Sequence, residues 1–585
     1  MCGIAGIVGP GAPQHRELVA EMLRSLDHRG PDDRRMEVTA EAVIGATRLA
    51  VIDPDHGQQP LVDEAGVIVA GNGEIYGYRQ VRTRLSLPPT GGSDLNVVAP
   101  LWHRHGSDLL PHLPGTFALA VFDPAGSRLL LGRDPFGERP LYWAEMAGGC
   151  LAFASEPGAL LDAGIVAREV DRSVLAEVVR TGYVAPGSCI WQGMQSLRPG
   201  HQLIVDLRRG TRAVERWWSA PPVDPSIELP DAIGWFRHAL DRAVVEQLDA
   251  DVPLGVFLSG GLDSATIAGL AAGHRPGLVA LACDVPDASE VGWATRTAQR
   301  HGLDLRVCPI DESSLVDDLL DSARAWGEPI GDSSALLTWI LARFTKEHVT
   351  VVLSGDGADE LLGGYVGWAR DALGAEAVLG SAHHRPRWWR RPSDPAAVTR
   401  AYRRYRDYAS PADLHALGLP AGEDHDLDEV HHTGTVEDIC RFDLDRYLPG
   451  DILVKTDRAS MAHGLEVRAP FLARPVAEGC LALPAACKVD DRREKVLLRD
   501  SFEHLWPTGL SDRPKQGFGA PTDRWLRLPA VAGLADELVR DPAGPLAGLL
   551  EVDAASRLLD AGGQAAWTVF AVARWWAHHR SPVAA

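Results

Sequence analysis

The amino-acid text changes period once, across RWWSAPPVDPSIELP at 216–230, and that change limits the fold more than any other feature. Before it, short alternating apolar runs are split by glycines, as antiparallel strands and tight turns require. After it, continuous apolar runs lead into glycine loops and out into helices, the pattern of a mostly parallel sheet. The stretch itself is proline-rich with no helical stripe, so it reads as a linker. Two domains are expected, at 2–215 and 231–585. The 585 residues would allow three or four, but large α/β units make two sufficient.

Composition excludes some functions. A chain 45% hydrophobic and 23% charged can bury a large core. Its net charge of −21 argues against nucleic-acid binding, which wants a basic face. The one basic patch, HHRPRWWRRP at 383–392, has prolines and no helical period and reads as an exposed connector. No run reaches eighteen uncharged apolar residues, and the opening MCGIAGIVGP is too short and glycine-rich for a signal peptide. A soluble, cytoplasmic protein with no membrane partner is the expectation. The eight cysteines form no CxxC and no metal-ligand spacing with histidine pairs, so most read as reduced core thiols.

Cys2 stands apart by position. Removal of Met1 would leave it as residue one, with a free α-amine of pKa about 7.7–8.0 beside the thiol. One residue then supplies both nucleophile and base. Downstream come HRGPDD (28–33), TRLAVID (47–53), GNGEIYGY (71–78), GGSD (91–94), GTFALAVFD (115–123) and GRDPFGERPLYW (132–143). In this order they resemble the N-terminal-nucleophile glutaminase domain of class II glutamine amidotransferases, over about the first 160 residues. The resemblance implies a four-layer αββα fold in which the Cys2 thiolate attacks the side-chain amide of glutamine. It implies an oxyanion hole from Asn72 and the N–H of Gly73, and glutamine contacts from Arg48, Asn72, Glu74 and Asp94. Two positions depart from the family: Gly77 where asparagine is usual, and Asn96 where glutamate is usual. Altered support or docking is expected from them.

In the second half, DAIGWFRHALDRAVVEQL (231–248) carries apolar residues at helical spacing. VPLGVFLSGGLDSATIAGLAAG (252–273) is a strand, a glycine pair and a helix whose N-terminal N–H groups can cradle an anion. It lacks GK[ST] and so is no Walker loop. The string SGGLDS resembles the pyrophosphate loop of N-type ATP pyrophosphatases. Ser259, Gly260, Gly261 and Ser264 would then hold phosphates, and Asp263 would bind Mg²⁺. A second unit, VTVVLSGDGADELLGGY (349–365), sets hard oxygen ligands after a buried strand. The combination resembles the asparagine synthetase family over nearly the whole chain, weakest at 370–440 and after 530. That implies nucleotide contacts at Ser354 and Gly355, a second magnesium ligand at Asp359, and Asp356 at the acid position tied to acyl-adenylate formation. Leu258 and Cys283 align with adenine contacts, with core packing an equal reading. Lys515, in RPKQGFGAPTDRWLR, aligns with a lysine that stabilises departing pyrophosphate. DILVKTDRASMAHGLEVRAPFL (451–472) resembles the family's helix-rich segment behind the substrate pocket, which implies Asp457 and Arg458 as pocket residues and Glu466 with Arg468 as an internal ion pair.

The expected reaction is ATP- and glutamine-dependent conversion of a carboxylate to an amide, L-aspartate to L-asparagine in the simplest case, with Mg²⁺. Family relatives are often dimers, so a homodimer belongs to the expectation. Ala473, where the family writes PFLD, removes an acid placed near the substrate, which leaves another carboxylate as the alternative acceptor. Ring closure of the β-lactam or lasso-peptide type is disfavoured by the complete set Cys2, Arg48, Asn72 and Asp94.

Overall fold

A computed structural model describes residues 1–87, 92–367, 401–421, 435–513 and 516–580. The basic stretch at 383–392, most of the 370–440 connector and Lys515 lie outside the described residues.

The uncharged opening run is explained by where it sits. Strand Cys2–Val8 is interior to an antiparallel sheet, between Ala42–Arg48 and Leu151–Ala154. Its side chains alternate between two buried faces. Ile4 and Val8 enter the space between two sheets, with Ile44, Ala46, Ala118 and Phe122. Ala5 and Ile7 meet Val19, Met22 and Leu23 of helix Arg16–Ser25. A strand covered on both faces has no use for a charge.

That sheet has the order Met194–Ser196, Tyr142–Glu145, Leu151–Ala154, Cys2–Val8, Ala42–Arg48, Asp33–Val38. The facing one runs Thr211–Arg216, His201–Asp206, Arg128–Arg133, Thr116–Asp123, Ile68–Glu74, Leu61–Val62. On its outer side Leu119 and Val121 pack against Val98 and Leu101 of helix Val98–His105. The layers are helix, sheet, sheet, helix.

The second half is built on five parallel strands, ordered Asp304–Pro309, Val279–Asp284, Leu254–Phe257, Val351–Leu353, Glu466–Arg468. Val256, Ala280 and Leu353 lie under helices Leu229–Gln247 and Leu262–His274 on one face. Leu281 and Val352 lie under helix Ser334–Lys346 on the other. From Leu254–Phe257 the chain builds outward first one way and then the other. The order therefore reverses between Leu254–Phe257 and Val351–Leu353. Ligands in open parallel sheets bind in the crevice at such a reversal, beyond the carboxyl ends of the strands. Both glycine loops, 259–264 and 354–360, leave the sheet there.

The halves are in close contact. Between strand Thr211–Arg216 and helix Leu229–Gln247, Trp217 donates to the Arg133 carbonyl at 3.0 Å and Trp218 to Glu478 Oε1 at 2.8 Å. Glu478 belongs to helix Arg474–Ala482 of the second half.

Candidate active site

Around Cys2 the first sheets bring together every residue expected there. The Cys2 amide donates to Asn72 Oδ1 at 3.1 Å, and Gln59 Nε2 donates to its Sγ at 3.4 Å. Gln59 is fixed in turn, its Oε1 accepting from Gly71 N at 2.7 Å. The Asn72 side chain is fully buried, yet its Nδ2 has no acceptor. A buried unpaired donor costs about 1–3 kcal/mol, so its presence beside a nucleophile is informative. Gly73 follows at φ 147, and a Cβ there would meet the Thr116 carbonyl oxygen at 2.1 Å. Only glycine fits this conformation and this close approach, in the residue that follows Asn72.

Arg48 ends the paired strand. Its guanidinium donates to the carbonyls of Pro54, Ile52 and Asp53 at 2.8, 2.9 and 2.7 Å. Carbonyls orient the fork without neutralising its charge, so it can still take an anion. Asp94 Oδ2 accepts from Ile75 N at 2.7 Å, and burial lifts its carboxyl to about 6. Glu74 is raised well above the carboxylate range by burial and by Asp94 and Glu466. This acid cluster suits an ammonium. In the structure the Met1 α-ammonium fills part of that need, ion-paired with the buried Glu466. Burial also pushes the Cys2 thiol up, so a base must assist it. Gly77 occupies the left-handed position (φ 66) capping helix Tyr78–Arg84, a conformation asparagine also tolerates, so the departure there preserves the turn. Asn96 leaves its Oδ1 buried without a partner.

The second site is a cavity of about 450 Å³ at the sheet's reversal point. Leu258, Ser259, Gly260, Gly261, Asp263, Ser264, Cys283, Ser354, Gly355, Asp356 and Asp359 all line it. Ser259 and Ser264 hydroxyls lie 2.9 Å apart, and Gly261 N donates to Ser259 Oγ at 3.2 Å. The two loops nearly touch, since a Cβ on Gly355 would come within 2.9 Å of the Asp263 Cβ. Cys283 is the register partner of Cys308 on the next strand.

Sequence reading missed several polar residues of this cavity, among them Lys495, Lys455, Asp332, Ser334 and Thr456. Lys495 Nζ lies 2.6 Å from Asp263 Oδ2 and 2.6 Å from Asp359 Oδ1. Two carboxylates that converge on one ammonium can converge on a divalent ion. Among the described residues no cluster of three or more such side chains exists, so substrate phosphates would have to complete the coordination, as Mg²⁺ sites allow. Lys455 donates to Asp332 Oδ2 at 2.6 Å and Ser334 Oγ at 2.7 Å. Burial raises the Asp332 carboxyl, but Lys455 outweighs it and holds the group low. Asp356 accepts from Ser354 Oγ at 3.0 Å and Thr456 Oγ1 at 3.4 Å, and burial raises it.

Two expectations are corrected. Asp457 and Arg458 do not line the cavity; they point to the first half, where Asp457 binds Arg29 and Arg458 pairs with Glu156. Ala473 is the N-cap of helix Arg474–Ala482 and lies off the cavity wall, so the missing acid is a missing cap and says nothing about the acceptor. The expected Glu466–Arg468 ion pair is present and buried at 2.7 Å, and Arg468 Nη2 also reaches Glu74 at 3.7 Å.

The two sites are thereby linked. The Arg468 carbonyl accepts from Ser354 N at 2.8 Å at the head of the second glycine loop. Glu138 of the first half is lifted to about 8 by burial and Asp134, and Asp356 of the cavity adds to the rise.

Comparison with known proteins agrees with this arrangement. The glutamine amidotransferase domain family matches residues 1–218, which with the paired sites defines a glutamine-dependent amidotransferase. The asparagine synthase family matches residues 235–578, and the chain belongs to that ATP-dependent family. A putative glutamine-hydrolysing asparagine synthetase of Mycobacterium tuberculosis (strain ATCC 25618 / H37Rv) is 30% identical, covering 96% of this chain and 93% of its own. Glutamine-hydrolysing asparagine synthetases 1 and 3 of Bacillus subtilis (strain 168) are 27% and 28% identical. These alignments cover 90% and 88% of this chain, and 88% and 87% of theirs. Among the described residues no helix is long and apolar enough to cross a membrane.

Proposed function

We propose that the chain makes L-asparagine from L-aspartate, using ATP and glutamine and releasing AMP, pyrophosphate and glutamate. The observation that carries the reading is one strand, Glu466–Arg468. Its side chains stand in the Cys2 acid cluster, and its backbone holds the loop that opens the cavity. A nitrogen source and a site for activating an acid thus share a wall.

Once Met1 is removed, the Cys2 α-amine takes the thiol proton and the sulfur attacks the glutamine amide carbon. Asn72 Nδ2 and Gly73 N–H receive the developing oxyanion. Arg48 holds the α-carboxylate of glutamine, while Asp94 and Glu74 hold its ammonium. In the cavity the hydroxyls and N–H groups of 259–264 and 354–355 hold the phosphates of ATP. Asp263 and Asp359 would hold Mg²⁺, which when bound offsets the charge of the phosphates. Asp356 would serve acyl-adenylate formation, and Lys515 would stabilise the departing pyrophosphate. Ammonia must arrive unprotonated, because ammonium has no lone pair, and an interior passage beside Glu466 and Arg468 would meet that need.

The test is incubation with glutamine, ATP, Mg²⁺ and a panel of carboxylic acids, read by mass spectrometry. Asparagine from aspartate, with one glutamate and one pyrophosphate per amide, is the expected result. An amide from a different acid alone would replace the acceptor; no amide from any acid would overturn the reading.

A further inference from the structure

One buried cluster has no part in the chemistry above. Arg29 and Glu156 from the first half meet Asp457 and Arg458 from helix Leu453–Met461 of the second, and none is more than 6% exposed. Removing four charges from water is expensive, and apolar side chains of similar size would hold two surfaces together as well or better. The directions of the bonds suggest what the charges do instead.

An arginine fork is planar and rigid, so fixing two of its nitrogens aims the third. Asp457 Oδ2 accepts from Arg29 Nη1 at 2.8 Å and Oδ1 from Nη2 at 2.9 Å. That bidentate pair sets the plane, and Arg29 Nε then donates to the carbonyl oxygen of Cys2 at 3.2 Å. Glu156 Oε1 holds Nη1 alone, at 2.6 Å, and a single contact leaves the fork free to turn. Arg458 lies 3.0 Å from the same Glu156 oxygen but makes no directed hydrogen bond, so it balances charge without aiming anything. Of the cluster, only Asp457 fixes the orientation of the group that touches the nucleophile.

We propose that Asp457 is a positioning residue for Cys2, acting across the boundary between the halves by locking the Arg29 fork against the Cys2 carbonyl. The inference rests on Cys2 being the glutaminase nucleophile. Cys2 is then held at three points: its nitrogen at Asn72, its sulfur at Gln59 and its carbonyl at Arg29. The helix that carries Asp457 also presents Thr456 to Asp356 and Lys455 to Asp332 in the cavity. One rigid element therefore serves both sites.

The experiment uses the full chain with Asp457→Asn and Asp457→Glu, measuring glutamate release from glutamine and, separately, amide formation from ammonium salts. In Asp457→Asn the kcat for glutamate release should fall about 10- to 100-fold, the scale of a misplaced nucleophile. The KM for glutamine and the ammonia-driven rate should each stay within about twofold, because neither the glutamine contacts nor the cavity wall has changed. Asp457→Glu keeps the charge and both oxygens and should recover a large part of the lost kcat. Wild-type kcat in Asp457→Asn would overturn the proposal. So would a parallel fall of glutamine- and ammonia-driven rates, the mark of general loosening. If Asp457→Asn does not fold, Arg29→Lys decides, since lysine keeps the charge but has no planar fork for Asp457 to aim at the Cys2 carbonyl. A lowered glutamate kcat with an intact ammonia-driven rate supports the proposal, and an unchanged one sinks it. Absence of glutamate release from the wild-type protein would instead strike the reading of Cys2, and this inference with it.

Discussion

Asn72 combines two demands in one side chain: its Oδ1 holds the Cys2 nitrogen and its Nδ2 is left open. Replacing it with alanine should lower the kcat of glutamate release by about 10²–10³, the loss of one oxyanion donor at about 2.7–4 kcal/mol. Ammonia-driven amide formation should be untouched, and a steady-state comparison of the two nitrogen sources checks both. Asp94 supplies a pH dependence. Its carboxyl sits at about 6 and, on the proposed reading, must be ionised to hold the ammonium of glutamine. The kcat/KM for glutamine should therefore rise with pH through about 6, and Asp94→Asn should flatten that limb. The sign for stability is opposite. A carboxyl raised on folding binds its proton more tightly in the folded state, so this group's contribution falls as pH climbs from about 4 to about 6. The residues around Cys2 were legible because the motifs that carry them are contiguous. Lys495 was not: in EKVLLRD it looks like an ordinary helix-start lysine, and its partner Asp263 lies 232 positions away. Gln59 and Asp332 were hidden for the same reason.

Elements that announce themselves locally were read correctly, and elements made by tertiary contact were not. The strand, glycine loop and helix at 252–273 and 349–365 carry their own punctuation. Segment Asp443–Ile452 is a π-helix with Pro449 inside, and no periodicity in the text marks it. The PFLA sequence shows the limit of motif comparison, because an acid lost beside a substrate and an acid lost from a helix cap look alike in letters. The structure separates them. Ala473→Asp should stabilise the chain by about 0.5–2 kcal/mol through helix Arg474–Ala482, leaving the acceptor unchanged. Thermal unfolding and an acid screen on the same sample would check this. Gly73→Ala should do the reverse. A Cβ driven against the Thr116 carbonyl displaces the strand, abolishing glutamate release while the ammonia-driven reaction persists.

At the scale of the whole molecule, the change of pattern across 216–230 predicts two units but not how far they interpenetrate. One hydrophobic cluster runs from Val69 and Leu119 of the first half through Phe236 to Leu353 of the second. The charged contacts join residues hundreds of positions apart, and no local pattern encodes them. With the two sites sharing the strand Glu466–Arg468, glutamine nitrogen should reach the product without mixing with solvent. When ¹⁵N-ammonium is added beside unlabelled glutamine, little label should enter the amide; full dilution into the medium's pool would refute a closed passage.

The opening strand imposes an order of events. Met1 is 1% exposed and its strand cannot be completed until Leu151–Ala154 has been made. In the folded chain Met1 is enclosed and its α-ammonium is ion-paired with Glu466. On the proposed reading its removal has to precede closure of the sheet, and a molecule that folds with Met1 in place keeps the Cys2 amine blocked.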